Sequence, residues 1–290
     1  MMMKTPLKIA VIGPGRLGQT MAQALALQGE RVVAVAGRQP SDEVAARIGG
    51  GCQAMSPEAA VALADLVFLT VPDDAIATLA AALPWRAGMA VVHCSGATDV
   101  SALAPALAAG ARIGGFHPLQ IFADPTRALA LLPGSAVAIE AEDAALRDEL
   151  LRLAALLGMK PLQLQPGTRA AYHGAASFAA SFLLSMLDEA VQIWGAIGLP
   201  QDLALQALMP LARGTLASAE SRGLAPSLAG PISRGDAGVV AAHLKALDAL
   251  GGAHGAIYRE MSRRQLKLAR ESGRLSEEAL TKLEGLLGSA

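Results

Sequence analysis

The sequence has 290 residues, which is enough to bury a substantial core and to form one or two domains, of which we expect two. Hydrophobic residues make up 53% of the chain and aromatic residues only 3%, which excludes a disordered protein and indicates closely packed helices rich in small residues. Lys and Arg number 24 against 25 Asp and Glu, so no basic excess marks a nucleic-acid surface and we expect no nucleic-acid partner.

Export, membrane and metal signals are weak in this chain. Residues 1–6 are too short to form a secretory signal, and the apolar run at residues 175–187 stops at Asp188 and Glu189 before it could span a bilayer. We therefore predict a cytoplasmic protein without membrane contact, in which that run is a buried helix. Cys52 and Cys94 form no C-x-x-C pair and no histidine is spaced for a closed zinc site, so no metal is expected.

Residues 8–18, KIAVIGPGRLG, organise the first part of the chain. The apolar run predicts a strand buried on both faces, followed by a tight turn at Gly13, a close approach of backbone to a pyrophosphate at Gly15, and close packing of helix on strand at Gly18. The pattern predicts a dinucleotide site whose cofactor contacts lie on Gly13, Pro14, Gly15, Arg16, Leu17 and Gly18. The alternative is a glycine turn with a purely structural role.

The end of the second predicted strand, residues 31–36, indicates which dinucleotide is bound. A carboxylate that would hold the ribose hydroxyls of NAD is missing there, and Gly37, Arg38 and Gln39 stand in its place. The guanidinium of Arg38, with Ser41 nearby, suits a 2′-phosphate, so we predict NADP as the cofactor. Alternatively, Arg38 is a solvated loop charge.

Further strands are predicted at residues 65–71 and 89–94, each followed by residues that suit a ligand at the carboxyl edge of the sheet. Val71 and Pro72 are expected beside the cofactor, and Ser95 and Gly96 near its nicotinamide. Asp73 and Asp74 are better explained by a helix cap at Asp73 than by a metal or acid–base pair. His93 is expected to point into packing.

The strand at residues 112–120 ends in His117 and Pro118, which predicts a rigid loop carrying His117 at the same edge. Strands at 135–139 and 160–164 with a helix at 143–157 complete an α/β, Rossmann-type, doubly wound parallel sheet over residues 1–165. Residues 166–290 predict an all-α domain with breaks near Pro200, Pro210 and Pro231. Its first helix, residues 169–196, is apolar nearly all round, as is typical inside a bundle or at a subunit interface.

Several motifs together resemble one family more specifically than the glycine turn alone. They are Gly13 to Gly18, Val71-Pro72-Asp73, His93 to Gly96, Phe116 to Gln120, Tyr172-His173, and residues 230–236, GPISRGD, followed by His243. The chain is similar to bacterial Rossmann-like oxidoreductases whose C-terminal helical half is catalogued as a domain of unknown function. That family resembles ketopantoate reductases, pyrroline-carboxylate reductases, β-hydroxyacid dehydrogenases and deazaflavin-dependent NADP oxidoreductases, which implies NADP-linked hydride transfer. Members tend to carry Asn where this chain has Ser181.

Reduction of a carbonyl or imine also needs a proton donor, and histidine suits that task near neutral pH. His173 is our first candidate, because the β-hydroxyacid dehydrogenase relatives carry a catalytic Lys there, and Tyr172 is expected to orient it. His117 and Gln120 are expected to bind a substrate carbonyl or carboxamide. The alternative for His173 is ordinary packing.

The remaining substrate contacts are predicted at Ser95, Ser181 and Arg234. The guanidinium of Arg234 suits a substrate carboxylate; alternatively, Asp236 caps the next helix while Arg234 pairs locally with a carboxylate. We therefore predict an NADPH-dependent reductase of a small oxo acid or imine, with ketopantoate as one possibility, an active site in the interdomain cleft, and a homodimer formed by the helical half. Two other hypotheses are a catalytically silent NADP-binding sensor and a transferase that binds another nucleotide.

Overall fold

The computed structural model describes residues 7–39 and 41–288 of the chain. The chain divides into two compact units, Met1–Ser177 and Phe178–Ala290. The division falls within a helix, α8 (Arg169–Ala179), whereas the boundary proposed from the sequence lies near Gln165.

The first unit is built on one eight-stranded sheet with the order β3-β2-β1-β4-β5-β6-β7-β8. The strands are β1 (Lys8–Ile12), β2 (Arg31–Ala36), β3 (Gln53–Ala54), β4 (Leu66–Leu69), β5 (Ala90–His93), β6 (Arg112–Leu119), β7 (Ala136–Glu140) and β8 (Lys160–Gln163). This order, with neighbours paired in parallel from β3 through to β6, confirms the predicted Rossmann-type fold.

The sheet departs from the prediction in two strands. Strand β3 has two residues, too few for a recognisable apolar run, and sequence analysis missed it. Strand β7 runs antiparallel to β6, with Leu119 opposite Ala136, and β8 follows the direction of β7. Because the chain turns back at the edge where β6 ends, the last two strands reverse direction, and the sheet is mostly rather than wholly parallel.

Helices cover both faces of this sheet. They are α1 (Arg16–Leu27), α2 (Asp42–Ile48), α3 (Pro57–Leu63), α4 (Asp73–Ala82), a 3₁₀ helix (Val100–Leu103), α5 (Ala104–Ala108), α6 (Pro125–Leu131) and α7 (Ala144–Leu156). Along β1, Ile9 and Val11 pack into one core with Met21 of α1, whereas Ala10 and Ile12 pack into the other. Each fully buried large aliphatic side chain contributes ~1.5–3 kcal/mol, so the apolar strands fix the scaffold that carries the site.

The second unit is helical in its described part, as predicted. Its helices are α9 (Ser181–Ala196), α10 (Gln201–Arg222), α11 (Leu224–Ser227), α12 (Pro231–Arg234), α13 (Ala237–Leu250), α14 (His254–Glu271) and α15 (Glu277–Leu287). Its core is formed by Ile232, Val240 and Leu244 with apolar residues of α14 and α15. Helix α10 runs through Pro210 without a break, which corrects the break expected there.

The structure differs from a single buried helix at residues 169–196 in two respects, while the alternative of a subunit interface stays a prediction. Ala180, at φ −121° and ψ −85°, separates α8 from α9. Arg169 is the one buried residue of α8, and α9 buries none, so the described chain does not cover the apolar surface of these helices. By length and composition alone the segment Arg169–Ala196 could cross a membrane, and none of its apolar window is buried.

Two predicted helix caps also differ from the structure. Pro72 is the N-cap of α4, so Asp73 lies in the first turn, where its negative charge still suits the helix dipole. Asp236 is the N-cap residue of α13, but its side chain makes no capping hydrogen bond. It accepts instead from Nε of Arg234 at 3.2 Å, which is the local pairing that we considered for Arg234.

Candidate functional site

The glycine turn between β1 and α1 has the geometry of a dinucleotide site. Gly13 has φ +97°, and a Cβ atom there would lie 2.7 Å from Cγ1 of Val71. A Cβ at Gly18 would overlap the Gly13 oxygen and lie 2.6 Å from Oγ1 of Thr70, so helix and strand touch there. At Gly15, by contrast, a Cβ would meet nothing closer than 4.0 Å. The second glycine therefore leaves the turn open on the side where a pyrophosphate would approach.

A cavity of about 710 Å³ extends from this turn to the end of β2. It is lined by six residues predicted to contact the cofactor, namely Gly13, Pro14, Gly15, Arg38, Val71 and Pro72. The predicted residues Arg16, Leu17 and Gly18 lie on the first turn of α1, whose N–H groups have no partner within the helix. The open position at Gly15 and these free donors fit a dinucleotide phosphate.

Arg38 lies at the far end of this cavity and is exposed. Within residues 7–39 and 41–288 it forms no ion pair, so its guanidinium is available to a ligand anion. Ser41 also lines the cavity, and its hydroxyl donates to the Gln39 carbonyl oxygen at 3.1 Å. A 2′-phosphate fits this end of the cavity better than a bare ribose hydroxyl, because a free cation faces it.

Three predicted catalytic side chains come together at the carboxyl edge of the sheet. Nδ1 of His117 lies 3.1 Å from the hydroxyl oxygen of Tyr172, and the two rings are perpendicular with centroids 5.7 Å apart. The ring of His173 packs against the same His117 ring, also at 5.7 Å. Gly96 borders both imidazoles, and a Cβ there would lie 2.8 Å from Nε2 of His117 and would overlap the His173 ring.

His117 lies in strand β6, paired with Ala138 of β7, which corrects the rigid loop expected from Pro118. Burial lowers the pKa of His117 to about 4, and the positive charge of Arg169 and the neighbouring His173 contribute to the shift. At neutral pH the His117 ring is therefore uncharged, with one N–H donor and one free ring nitrogen. Burial also raises the pKa of Tyr172, so its hydroxyl keeps its proton.

Either tautomer of His117 leaves this pair able to donate a hydrogen bond outward. If Nδ1 accepts from Tyr172, the Nε2 hydrogen of His117 is free to donate to a ligand. If Nδ1 donates to Tyr172 instead, the tyrosine hydroxyl hydrogen is free. The pair is therefore suited to hold the oxygen or nitrogen of an unsaturated bond.

Ser95 and Gln120 are engaged within the first unit. The Ser95 hydroxyl oxygen accepts from the backbone N–H groups of Ala97 at 3.1 Å and Thr98 at 2.9 Å, which shapes the loop after β5. Gln120 donates to the Leu131 carbonyl oxygen at 3.2 Å and accepts from the Ile121 N–H at 2.7 Å. Both side chains therefore have structural hydrogen bonds that a substrate would have to share.

Ser181 and Arg234, the other predicted substrate residues, belong to the second unit. Ser181 begins α9, and Arg234 is paired with Asp236 while its side chain is 61% exposed. Two histidines of this unit have oxygen partners of their own: His243 lies 2.9 Å from the Tyr258 hydroxyl and His254 lies 2.5 Å from a Glu189 carboxylate oxygen. The roles of Ser181 and Arg234 in substrate binding stay predictions.

The burial of His93 agrees with the packing role expected for this residue. His93 is completely buried, as predicted, and burial lowers its pKa to about 4. Across the ranges that the structure describes, no three His, Cys, Asp or Glu side chains are grouped to hold a metal ion.

Sequence analysis missed Arg169, one of the largest fully buried side chains among the described residues. Its Nη1 donates to the Ser95 carbonyl oxygen at 2.7 Å, and its Nε and Nη2 donate to one carboxylate oxygen of Glu140 at 3.1 and 3.0 Å. The only signal in the sequence is a charged residue three positions before Tyr172 at the start of an apolar helix. Such a charge is usually solvated, so the pattern alone does not reveal its burial.

Comparison with known proteins identifies both halves of the chain. A Rossmann-like domain matches residues 1–118, and a domain of unknown function, DUF2520, matches residues 135–265. The two halves of the chain are thus similar to a Rossmann-like domain and to a DUF2520 domain, which confirms the resemblance seen in the sequence. A comparison with curated proteins found no match.

Solved structures extend this similarity over most of the chain. A candidate NADP oxidoreductase from Bacteroides fragilis shares 25% identity over 89% of this chain and 97% of its own, with a TM-score of 0.70. The protein TM1727 from Thermotoga maritima shares 22% identity over 92% and 100%, with a TM-score of 0.73. A reductive aminase from Aspergillus terreus, solved with NADPH and ethyl-5-oxohexanoate, shares 22% identity over 98% and 93%, with a TM-score of 0.58. The last two show the shared fold alone.

Proposed function

We propose that this protein is an NADP-dependent oxidoreductase that reduces a C=O or C=N group of a small molecule. The observation that carries the proposal is the cavity that joins the open glycine turn to the unpaired guanidinium of Arg38. A cavity that has N–H donors for a phosphate at one end and a free cation at the other favours NADP(H) over NAD(H). Similarity to the Bacteroides fragilis protein supports the same class of cofactor.

The first unit supplies the residues that hold the cofactor. The turn from Gly13 to Gly18 would hold the pyrophosphate and Arg38 the 2′-phosphate. Val71 and Pro72 line the same cavity. Ser95 and Gly96 follow β5 at the edge that also carries His117, where the nicotinamide is expected. When bound, NADPH supplies the hydride.

The protein has to provide the proton and hold the reacting group. We assign proton delivery to His173, whose ring packs on His117 at the carboxyl edge of the sheet. The neutral His117 and the Tyr172 hydroxyl hold the oxygen or nitrogen of the substrate, because their pair can donate outward in either tautomer. As hydride adds to carbon, the electron pair of the double bond moves to that oxygen or nitrogen and takes the proton from His173.

The substrate class that we favour is a small oxo acid or imine, with a ketopantoate-like acid as one possibility. Gln120 and Ser95 offer hydrogen bonds in the first unit, and Arg234 and Ser181 are the proposed contacts of the second unit. Arg234 would bind a substrate carboxylate by exchanging its local partner Asp236, a pair exposed to water and so cheap to break.

We further propose a soluble, cytoplasmic homodimer. The apolar side chains on α8, α9 and α10 are exposed in the single chain, including Phe178 at 73% and Leu184 at 68%. An exposed apolar surface of this kind marks an interaction site, and a second copy of the helical unit is the partner that we favour over a membrane.

Titration of the purified protein with NADPH and then NADH, followed by nicotinamide and tryptophan fluorescence, tests the cofactor. Tight and selective NADPH binding is expected, and a panel of oxo acids and imines should then give oxidation of NADPH measured by its absorbance. Binding without turnover on the whole panel would favour the sensor. Failure to bind either nucleotide would contradict the oxidoreductase and favour a transferase that binds another nucleotide.

A further inference from the structure

Arg169 is a buried charge that the proposed chemistry does not use. It begins α8 with its side chain 2% exposed, and its guanidinium is bound to Glu140 at the end of β7 and to the carbonyl oxygen of Ser95 after β5. Burying a guanidinium carries a large desolvation penalty, and partners in good geometry have to offset it. The retention of a buried charge despite this penalty indicates that Arg169 has a role at this position.

Strand β6 is shaped to admit this guanidinium. Gly115 lies in the middle of the strand, and a Cβ atom there would overlap Nη2 of Arg169. Glycine weakens a strand interior, because it packs no side chain and loses more backbone entropy than other residues. The space for the Arg169 side chain is a physical reason for Gly115.

The same guanidinium connects three of the segments that surround the histidine cluster. Ser95 precedes Gly96, which packs against the rings of His117 and His173. One helical turn beyond Arg169, Tyr172 and His173 reach the His117 ring from α8. The loop after β5, the end of β7 and the start of α8 are therefore held together by one side chain.

We propose that Arg169 is a positioning residue that fixes His117, Tyr172 and His173 relative to one another and places a positive charge beside His117. The proposal deepens the function proposed above and rests on it for the chemical role of the cluster. The charged and titratable groups that face His117 are Tyr172, His173 and Arg169 on α8 and Asp73 on α4, and Asp73 acts in the opposite direction to Arg169.

The test compares Arg169→Met with Arg169→Lys and with the double variant Arg169→Met/Glu140→Met, which leaves no unpaired buried carboxylate. Arg112→Met is the control, because Arg112 is also paired with a carboxylate, Asp143, within the first unit, and both side chains are partly exposed, so the change leaves no buried carboxylate unpaired. The measurements are circular dichroism, NADPH affinity, kcat and KM for a substrate found in the panel, and NMR titration of the His117 ring in the ligand-free protein.

We expect the double variant to fold, to bind NADPH within about twofold of the parent, and to lose kcat at least about tenfold with KM little changed. The pKa of His117 should rise by about half a unit or more, since a nearby positive charge is removed. Arg169→Lys should keep the low pKa of His117 and recover part of kcat, whereas Arg112→Met should change neither.

An unchanged His117 titration together with unchanged kcat in a folded double variant would overturn the proposal. If the parent protein shows no turnover at all, the proposed function fails while the NMR titration still decides the matter for Arg169, because it requires neither cofactor nor substrate. A variant that loses NADPH affinity as strongly as kcat would show general unfolding of the site and would also count against a positioning role.

Discussion

The hydroxyl oxygen of Tyr172 lies 3.1 Å from Nδ1 of His117, so an aromatic residue on α8 and a histidine on β6 share one hydrogen bond at the carboxyl edge of the sheet. The two residues are far apart in sequence, and among the described residues this is the one side-chain hydrogen bond that either of them forms. Their pairing joins the sheet to α8 at the place where the substrate is proposed to bind.

Replacing Tyr172 and His173 of α8 one at a time should separate holding the substrate from delivering the proton. Tyr172→Phe removes one hydrogen bond of about 1–1.5 kcal/mol and should lower kcat/KM about tenfold. His173→Ala removes the proposed proton donor and should lower kcat by about 10²- to 10⁴-fold with NADPH affinity unchanged. Steady-state kinetics and NADPH titration measure both. Ser177→Ala, on the same helix, is the control, and normal turnover by His173→Ala would show that the proton comes from elsewhere.

Stability should decline in acid because two histidines are held neutral in the folded protein. The pKa values of His93 and His117 are about 4, below the ordinary 6.5, so between these values the unfolded chain binds protons that the native chain does not. The free energy of unfolding should therefore be level above about pH 6.5 and fall toward pH 4. The slope should reach about 1.4 kcal/mol per pH unit for His93, and less for the partly exposed His117.

Urea unfolding at about pH 7 and about pH 5 measures this loss directly. His93→Leu should flatten the pH dependence, because the completely buried group no longer titrates. A variant as acid-sensitive as the parent would show that other groups cause the decline.

Two glycines of the turn, Gly15 and Gly18, should respond differently to alanine. Gly18→Ala places a methyl group against the Gly13 oxygen and Thr70, and we expect it to cost about 1–3 kcal/mol of stability. Gly15→Ala meets no protein atom closer than 4.0 Å, so stability should be kept while NADPH binding is lost to the methyl group in the phosphate approach. Thermal unfolding and fluorescence titration distinguish the two effects. Full NADPH affinity in Gly15→Ala would place the pyrophosphate elsewhere.

Arg38→Ala should reduce the preference of the protein for NADPH over NADH. Loss of a charge-assisted contact to the 2′-phosphate is worth roughly 1.5–3 kcal/mol, so NADPH should bind about 10- to 100-fold more weakly while NADH binding stays the same. Arg31→Ala, at the other end of β2 and also exposed, is the matched control. An equal loss for both nucleotides would argue against recognition of the 2′-phosphate by Arg38.

The helical unit should hold two copies of the chain together. Phe182→Glu with Leu184→Glu puts two charges on the exposed apolar surface of α9, and we expect a monomer where the parent is a dimer. Leu27→Glu changes an equally exposed leucine of the first unit and should leave the dimer intact. Sedimentation velocity measures the mass, and a monomeric parent protein would contradict the homodimer.

Local patterns in the sequence were sufficient for most of the sheet. A continuous apolar run predicts a buried strand. The spacing of the glycines predicts the turn at Gly13, because the conformation of a turn depends on neighbouring residues. The buried strands longer than β3 and the cavity-lining residues Gly15 and Arg38 were therefore predictable. Strand β3 was not, because two residues carry no period.

Tertiary structure alone decided the direction of β7, the exposure of α9 and the burial of Arg169. Strand direction depends on where the chain re-enters the sheet, and apolar periodicity does not record whether anything covers a helix. The sequence by itself determined the cofactor fold, because neighbouring residues carry that information. The proposed positioning of the histidine cluster depends on Gly115, Glu140 and Arg169. These three residues are distant in sequence, and only the folded chain makes them neighbours.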